Sequence, residues 1–292
     1  MRSEGNAFGN GDAGAGHSVQ VEFVSVNPTG PLHVGHARGA VFGSALANVL
    51  EAAGYLVQRE YYVNDAGNQM ETFNRILLAR YLQASGRDAS LPEDGYRGDY
   101  MLDLAEQLRS EVGDRFLSQD SEEAASELGK LGMNKMIDEI RSGMEDLRVI
   151  YDDWFSESSL YENGQYVEAM SLLRKGGYLT ERDGATWFTS EALGDEKDKV
   201  FVRTNGSPTY FAADVAYHFN KFSERGFDRV IDVWGADHQG HISRVKAVLQ
   251  AVGVSPDKLH IVIAQMVALK RGQELLKVSK RRGELITLRE LV

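Results

Sequence analysis

Hydrophobic and polar positions change rhythm several times along this chain, and each change predicts an element. Residues 1 to 18 are rich in Gly, Asn and Ser with few apolar side chains, so they read as a flexible lead-in. The run "SVQVEFVSV", 18 to 26, then alternates and is dense in Val and Phe, which predicts a strand. From His36 to Ala53 apolar residues fall at helical spacing until Gly54 stops the pattern, and "LVQREYYV", 56 to 63, reads as a second strand. Strand, helix, strand is the βαβ unit of a parallel sheet.

From about Glu71 to Met170 the pattern turns to acidic amphipathic helices, interrupted by a polar loop at 85 to 100, and this predicts a mainly helical insertion. "YLTERDGATWFTS", 178 to 190, predicts a hairpin turning at Asp183-Gly184. "KVFVR", a helix from about Phe211, the strand "RVIDVW" at 229 to 234, a helix after Gly240 and the strand "LHIVIAQMVAL" then restore α/β alternation. The expected organisation is a lead-in (1–18), the first half of a nucleotide-binding fold (19–70), the helical insertion with its hairpin (71–198) and the second half of the fold (199–292).

Composition narrows the class. With 292 residues and 42% hydrophobic content the chain can bury a sizeable core. No apolar run approaches the roughly 20 residues that cross a bilayer, and the start lacks the basic and apolar regions of a signal peptide, so no membrane role and a cytoplasmic location are expected. There is no Cys, which excludes disulfides, thiolate metal sites and a Cys nucleophile. Lys plus Arg total 32 against 43 Asp plus Glu, and a net charge of -11 argues against a nucleic-acid footprint spread over the whole surface. Positive charge is concentrated near the end, in "LKRGQELLKVSKRRG" at 269 to 283.

Three stretches carry candidate chemistry. In "NPTGPLHVGH", His33 and His36 stand three apart directly ahead of a helix, where imidazoles and free backbone N–H groups suit phosphate. Gly35 leaves room for a ligand, while Pro28 and Pro31 stiffen the entry. By itself the pair fits a helix cap at least as well. Zinc is the weaker reading because no HExxH supplies further ligands, and no metal site is expected. Gly35, Gly39 and Gly43 line one helix face without side chains, as close packing against a sheet requires. In "VWGADHQGHISR" a strand ends at Gly235 and Asp237, His238 and His241 follow, at the carboxyl end of a strand where open α/β sheets bind ligands; a polar turn capped by Asp237 is the bland alternative. In "KVSKRRG", Lys277, Ser279 and Lys280 form a basic loop that can follow a polyphosphate, or one that is merely solvated.

Taken together and in this order, "HVGH" and "KVSKR" resemble the HIGH and KMSKS motifs of class I aminoacyl-tRNA synthetases. "VEFVSVNPTGPLHVGHARGA", "EYYVNDAGNQM", "GSPTYFAADVAYH", "DVWGADHQGH" and "KVSKRRGELITLREL" are similar to bacterial arginyl-tRNA synthetases, across nearly all of residues 18 to 291. Val278 replaces the usual Met and Arg281 the last Ser, while both lysines and Ser279 are kept. The resemblance implies an α/β fold, the Rossmann-like parallel sheet of class I synthetases with a mainly helical insertion. It also implies the catalytic-domain portion of a longer protein, since the family's N-terminal tRNA-elbow domain and C-terminal anticodon-binding domain have no counterpart here, and arginine activation in this family generally needs bound tRNA.

The same resemblance implies the site. Glu22, Asn27, Tyr210, Asp214 and His238 match arginine-binding positions, and a planar cation with five donors does call for carboxylates and amide oxygens. His33, Gly35, His36, Gly235, Asp237, His238, Lys277, Ser279 and Lys280 match ATP-binding positions, with His33, His36, Lys277 and Lys280 catalytic. A paired-carboxylate pocket of this kind rejects lysine or citrulline by up to roughly 10⁴-fold. The implied reaction joins arginine to the α-phosphate of ATP and passes the arginyl group to tRNA-Arg, with Mg²⁺ as cofactor, no enzyme nucleophile, and a monomeric protein. Two other readings stay open on the residues: a non-catalytic paralogue that binds tRNA or a partner, and another HxGH nucleotidylyltransferase such as a cytidylyltransferase.

Overall fold

The computed structural model describes residues 5–92, 98–117, 122–195, 197–265, 267, 269–271, 274–276 and 287–288. In chain order its elements are β1 (Ser18–Phe23), α1 (Val34–Ala52), β2 (Leu56–Val63), α2 (Asn68–Ala84), α3 (Tyr100–Val112), α4 (Glu122–Asp146), β3 (Asp153–Ser156), α5 (Ser158–Glu162) and α6 (Gln165–Lys175). There follow β4 (Leu179–Arg182), β5 (Ala185–Phe188), β6 (Lys199–Val202), α7 (Tyr210–Phe219), β7 (Arg229–Gly235), α8 (Ile242–Ala251), β8 (Leu259–Ala264), β9 (Leu269–Arg271) and β10 (Glu274–Leu276). No described helix is long and apolar enough to cross a membrane. The chain divides into two compact units, one formed by 1–25, 42–62 and 151–266, the other by 26–41, 63–150 and 267–292.

The first unit is built on a five-stranded sheet in the order β3-β2-β1-β7-β8. β2, β1, β7 and β8 run parallel, as the βαβ pattern predicts. Val19, Val21 and Phe23 of β1 are fully buried, the mark of a central parallel strand. α7 and α8 bury Phe211, Val215, Val245 and Leu249 in a core that also takes in Phe188 and Phe201 from the smaller sheet β4-β5-β6. The predicted hairpin turns at Asp183 and Gly184, whose φ values of 51° and 74° are those of a tight hairpin turn.

Several expectations are corrected. β3 falls inside the stretch read as continuous helix, because a four-residue strand is too short to show a period of two. "KVFVR" does not join the parallel sheet; β6 pairs antiparallel with β5. The strand predicted through 269 stops at Ala264, and β9 and β10 form a separate antiparallel pair. In the lead-in, the N–H groups of Gly11, Gly14 and Gly16 bond to the carbonyls of Ala52, Ala53 and Gly54 at 2.7 to 3.0 Å. Gly14 has to be glycine there, since a Cβ would collide with the backbone nitrogen of Tyr55.

The second unit is mainly helical. α2, α3 and α4 pack Phe73, Ile76, Leu77 and Tyr81 against Met101, Leu104, Leu108 and Leu128.

Candidate active site

In the second unit the turn before α1 closes on itself. Nδ1 of His33 accepts the Gly35 N–H at 3.1 Å, and Nδ1 of His36 accepts the His33 N–H at 3.2 Å. A ring nitrogen that accepts carries no proton, so each neutral imidazole keeps its proton on Nε2 and offers an N–H donor there. The rings stack with centroids 3.6 Å apart. Two backbone N–H groups expected to face a ligand are thus held by the imidazoles, which pass the donor role outward to Nε2. Gly35 is needed for this, because a Cβ would meet the His33 ring at 2.8 Å.

Thr287 bridges to His33 and the Leu288 N–H bonds to the Leu32 carbonyl at 2.9 Å, so the chain just beyond the basic loop returns to the histidine turn. Lys277, Ser279 and Lys280 themselves lie outside the described residues. Asn27, also in this unit, donates through Nδ2 to Gln69 Oε1 at 2.5 Å. The glycine face of α1 is not uniform: a Cβ on Gly43 would overlap the Phe23 ring, whereas one on Gly39 meets nothing.

In the first unit the sheet register sets Glu60, Glu22 and Asp232 side by side on β2, β1 and β7. Registered neighbours of parallel strands share a face, so three buried carboxylates form one row. Two cations come from the turn after α7, a π-helical stretch Asn220–Glu224 and its cap Arg225. Lys221, fully buried, places Nζ 2.7 Å from Glu22 Oε2 and 2.8 Å from Asp232 Oδ1, over the Tyr217 ring at 4.1 Å. Arg225 grips both oxygens of Glu60, which also accepts from Gln20 Nε2 and from the Tyr217 hydroxyl. His218 bonds through Nδ1 to the Asp214 carbonyl at 2.7 Å and through Nε2 to Asp232 Oδ2 at 3.0 Å.

Burial alone would raise the carboxyls of Glu22 and Asp232. For Asp232 the Lys221 ammonium and His218 outweigh burial and hold it at about 2. For Glu22 burial prevails and pushes the carboxyl up, with Lys221 pulling the other way. Lys221 itself is raised, since Asp232 and Glu22 outweigh its desolvation. Asp232 is therefore the firm anion, while burial works against the charge of Glu22.

Tyr210 opens α7 and is half exposed; Asp214, one turn on, shares its face. Burial pushes the Asp214 carboxyl up to about 6, the charges of His218, His238 and Lys221 opposing this and that of Glu22 adding to it. Among the described residues this carboxylate makes no hydrogen bond or ion pair, although it is only partly exposed. Gly235 ends β7, and a Cβ there would sit 2.5 Å from Asp237 Oδ1, so the Asp237 side chain folds back over it. Asp237 and His238 stand exposed in the turn Ala236–His241, 3.5 Å apart, with the His238 ring 6.2 Å from Trp234.

The structure thus gathers Glu22, Tyr210, Asp214, Gly235, Asp237 and His238 in one unit and Asn27, His33, Gly35 and His36 in the other. Sequence reasoning missed Lys221, Asp232, His218, Glu60 and Arg225. A signal was present: Asp232 in "RVIDVW" and Glu22 in "VQVEF" each put a charge inside a strand that is otherwise buried and apolar, where an ion needs a partner.

Comparisons with known proteins bear on the family and the fold. The family profile for tRNA synthetases class I (R), catalytic domain, matches residues 5–292. An arginine–tRNA ligase from Dehalococcoides mccartyi is 54% identical over 290 residues, covering 99% of this chain and 52% of that relative. One from Carboxydothermus hydrogenoformans is 51% identical with the same coverage. A crystal structure assigned to an arginyl-tRNA synthetase of Campylobacter jejuni superposes with a TM-score of 0.88 at 37% identity, over 100% of this chain and 63% of that one. A Thermus thermophilus arginyl-tRNA synthetase, at 23% identity and a TM-score of 0.69, shares the fold. The chain spans about half the length of the curated relatives it matches. A parallel sheet carrying a buried acid row, a histidine turn opening α1 and a family match over nearly the whole sequence place this chain in the class I tRNA synthetases of the arginyl type, within their catalytic domain.

Proposed function

We propose that this chain is the arginine-activating portion of an arginine–tRNA ligase. The supporting observation is Asp214, an acid pushed up to about 6 with no cation bonded to it among the described residues, electrically coupled to Glu22. An acid in that state lacks a partner, and a guanidinium supplies both the charge and the donors. Tyr210, on the same helical face, and His238, whose charge acts on Asp214, are assigned to the same ligand by likeness to the family, as is Asn27.

A carboxylate oxygen of arginine attacks the α-phosphorus of ATP, the bond from that phosphorus to the bridging oxygen breaks, and pyrophosphate leaves with its electron pair. The terminal ribose hydroxyl of tRNA-Arg then attacks the arginyl carbonyl and AMP departs. His33 and His36 donate through Nε2–H to phosphate oxygens, Gly35 and Gly235 let the nucleotide approach the backbone, and Asp237 and His238 bind its ribose side. Lys277, Ser279 and Lys280 neutralise the departing pyrophosphate. Catalysis is positioning and charge stabilisation. Among the described residues no three carboxylates or imidazoles converge on one point, so Mg²⁺ is taken as travelling with ATP and no step is assigned to a protein-held ion. The protein acts as a cytoplasmic monomer.

Exchange of radiolabelled pyrophosphate into ATP tests this. Arginine is expected to drive exchange, most strongly with tRNA-Arg present. Exchange driven by a different amino acid overturns the substrate, and arginine binding without any exchange favours a non-catalytic tRNA-binding role.

A further inference from the structure

The row Glu60, Glu22, Asp232 carries three formal negative charges, and the turn after α7 answers with two positive ones. Arg225 holds both oxygens of Glu60 and also reaches Asp153 Oδ2 at 3.4 Å. Lys221 is shared, and it reaches only one oxygen of each partner, Oε2 of Glu22 and Oδ1 of Asp232. The other Asp232 oxygen is taken by His218. No described group bonds the second oxygen of Glu22. Glu22 thus keeps one oxygen without a described partner, and its charge acts on Asp214, which makes no ion pair among the described residues.

We propose that Lys221 is a positioning residue for arginine recognition: it clamps Glu22 by one oxygen against Asp232, so that the second oxygen of Glu22 and Asp214 address the guanidinium together. This rests on the arginine reading given above. Two carboxylate oxygens from different elements suit the planar fork of a guanidinium. Lys221 stands in the π-helical turn that follows α7, and from there its ammonium reaches Glu22 and Asp232 on neighbouring strands. Without Lys221 the bond that holds Glu22 Oε2 is lost, and burial acts on that carboxyl without the opposing ammonium.

The test is titration of L-arginine and, separately, of ATP into the whole chain, wild type and variants. Lys221→Met alone strands two buried acids and can prevent folding, so the decisive variant is the double Lys221→Met, Asp232→Asn, which removes one charge of each sign. The expected result is an arginine Kd weakened about 10- to 100-fold, the loss of one charge-assisted contact, with the ATP Kd within about twofold of wild type. An arginine Kd unchanged or tighter in the folded double variant overturns the proposal, as does equal loss for both ligands, which marks a purely structural pair. If the double variant does not fold, Lys221→Arg decides: it keeps the charge but replaces the single-point clamp by a bulkier fork, so an arginine Kd weakened by the amount given with the ATP Kd unchanged upholds the proposal, and an unchanged arginine Kd overturns it. Wild-type protein that fails to bind arginine instead sinks the proposed function itself.

Discussion

The histidine turn and the acid row are built in opposite ways. At the turn, the bonds by which the His33 and His36 rings accept backbone N–H groups span two or three residues. In the row, Lys221 meets Glu22 across 199 residues and Arg225 meets Glu60 across 165. A site made of local bonds needs a short fixed spelling, and the spelling is visible before any fold is known. A site assembled by strand register needs only that the right charges arrive on the right rungs, and no short string records that. The local site also has little to lose when one member is removed, since its polar groups border solvent. The long-range site stakes buried charges against one another, so its parts stabilise the fold and serve the ligand at once.

The sharpest way to break this comparison is to take one member out of the row. Asp232→Ala leaves Lys221 and His218 facing a hole in the middle of β7. Removing one partner of a buried pair costs about 3–5 kcal/mol, so urea unfolding should show a loss of that size with an unchanged slope. A loss below about 1 kcal/mol would mean the row is wetter and less committed than its burial indicates.

At the turn the expectation inverts. His36→Ala removes an acceptor for one backbone N–H at a half-buried position, so stability should change little. Arginine activation should fall about 10²- to 10³-fold, the usual cost of one donor to a developing charge, with arginine affinity far less affected. Equal losses in rate and affinity would show that the turn binds arginine rather than phosphate.

What was legible in the sequence follows the same divide. β2 is bounded as its alternation predicts, and α1 and β7 begin and end within two residues of expectation, since each has a clear period and a glycine stop. β3 was hidden by its length, and β6 by the fact that five residues of alternation do not say which sheet they join. In the site, Glu22 and Asp214 were reached through likeness to a family. Lys221 was not, because "FNKFSE" looks like an ordinary solvated helix end until the π turn and the sheet above it are known.

Asp214 separates function from stability within the row's own neighbourhood. An acid whose carboxyl is raised from its ordinary 3.8 to about 6 binds its proton more tightly folded than unfolded. It therefore costs stability as pH climbs from about 4 to about 6, and the full cost persists above that. Asp214→Asn should accordingly match wild type below pH 4 and gain on the order of 2–3 kcal/mol above pH 6, where the folded chain no longer has to hold a buried anion. The same variant should lose arginine binding, and wild-type affinity should strengthen as pH rises through about 6. A gain independent of pH would show that the charge of Asp214 is not what the fold opposes.

The smallest effects test whether local spelling can mislead even where it is easiest to read. Gly39 and Gly43 occupy equivalent places in a repeat of four along α1, and by sequence they are interchangeable. In the structure the Phe23 ring occupies the space beside Gly43, and nothing stands within 4 Å of a Cβ at Gly39. Gly43→Ala must push an aromatic ring of the central strand and should cost about 1–3 kcal/mol, as overpacking does. Gly39→Ala meets no obstacle and removes backbone freedom from the unfolded chain, so it should gain about 0.5–1 kcal/mol. Thermal unfolding of the two single variants settles the matter by sign alone: shifts in the same direction would return both glycines to a common packing role, and opposite shifts would show that the repeat joins one packing contact to one position free of it.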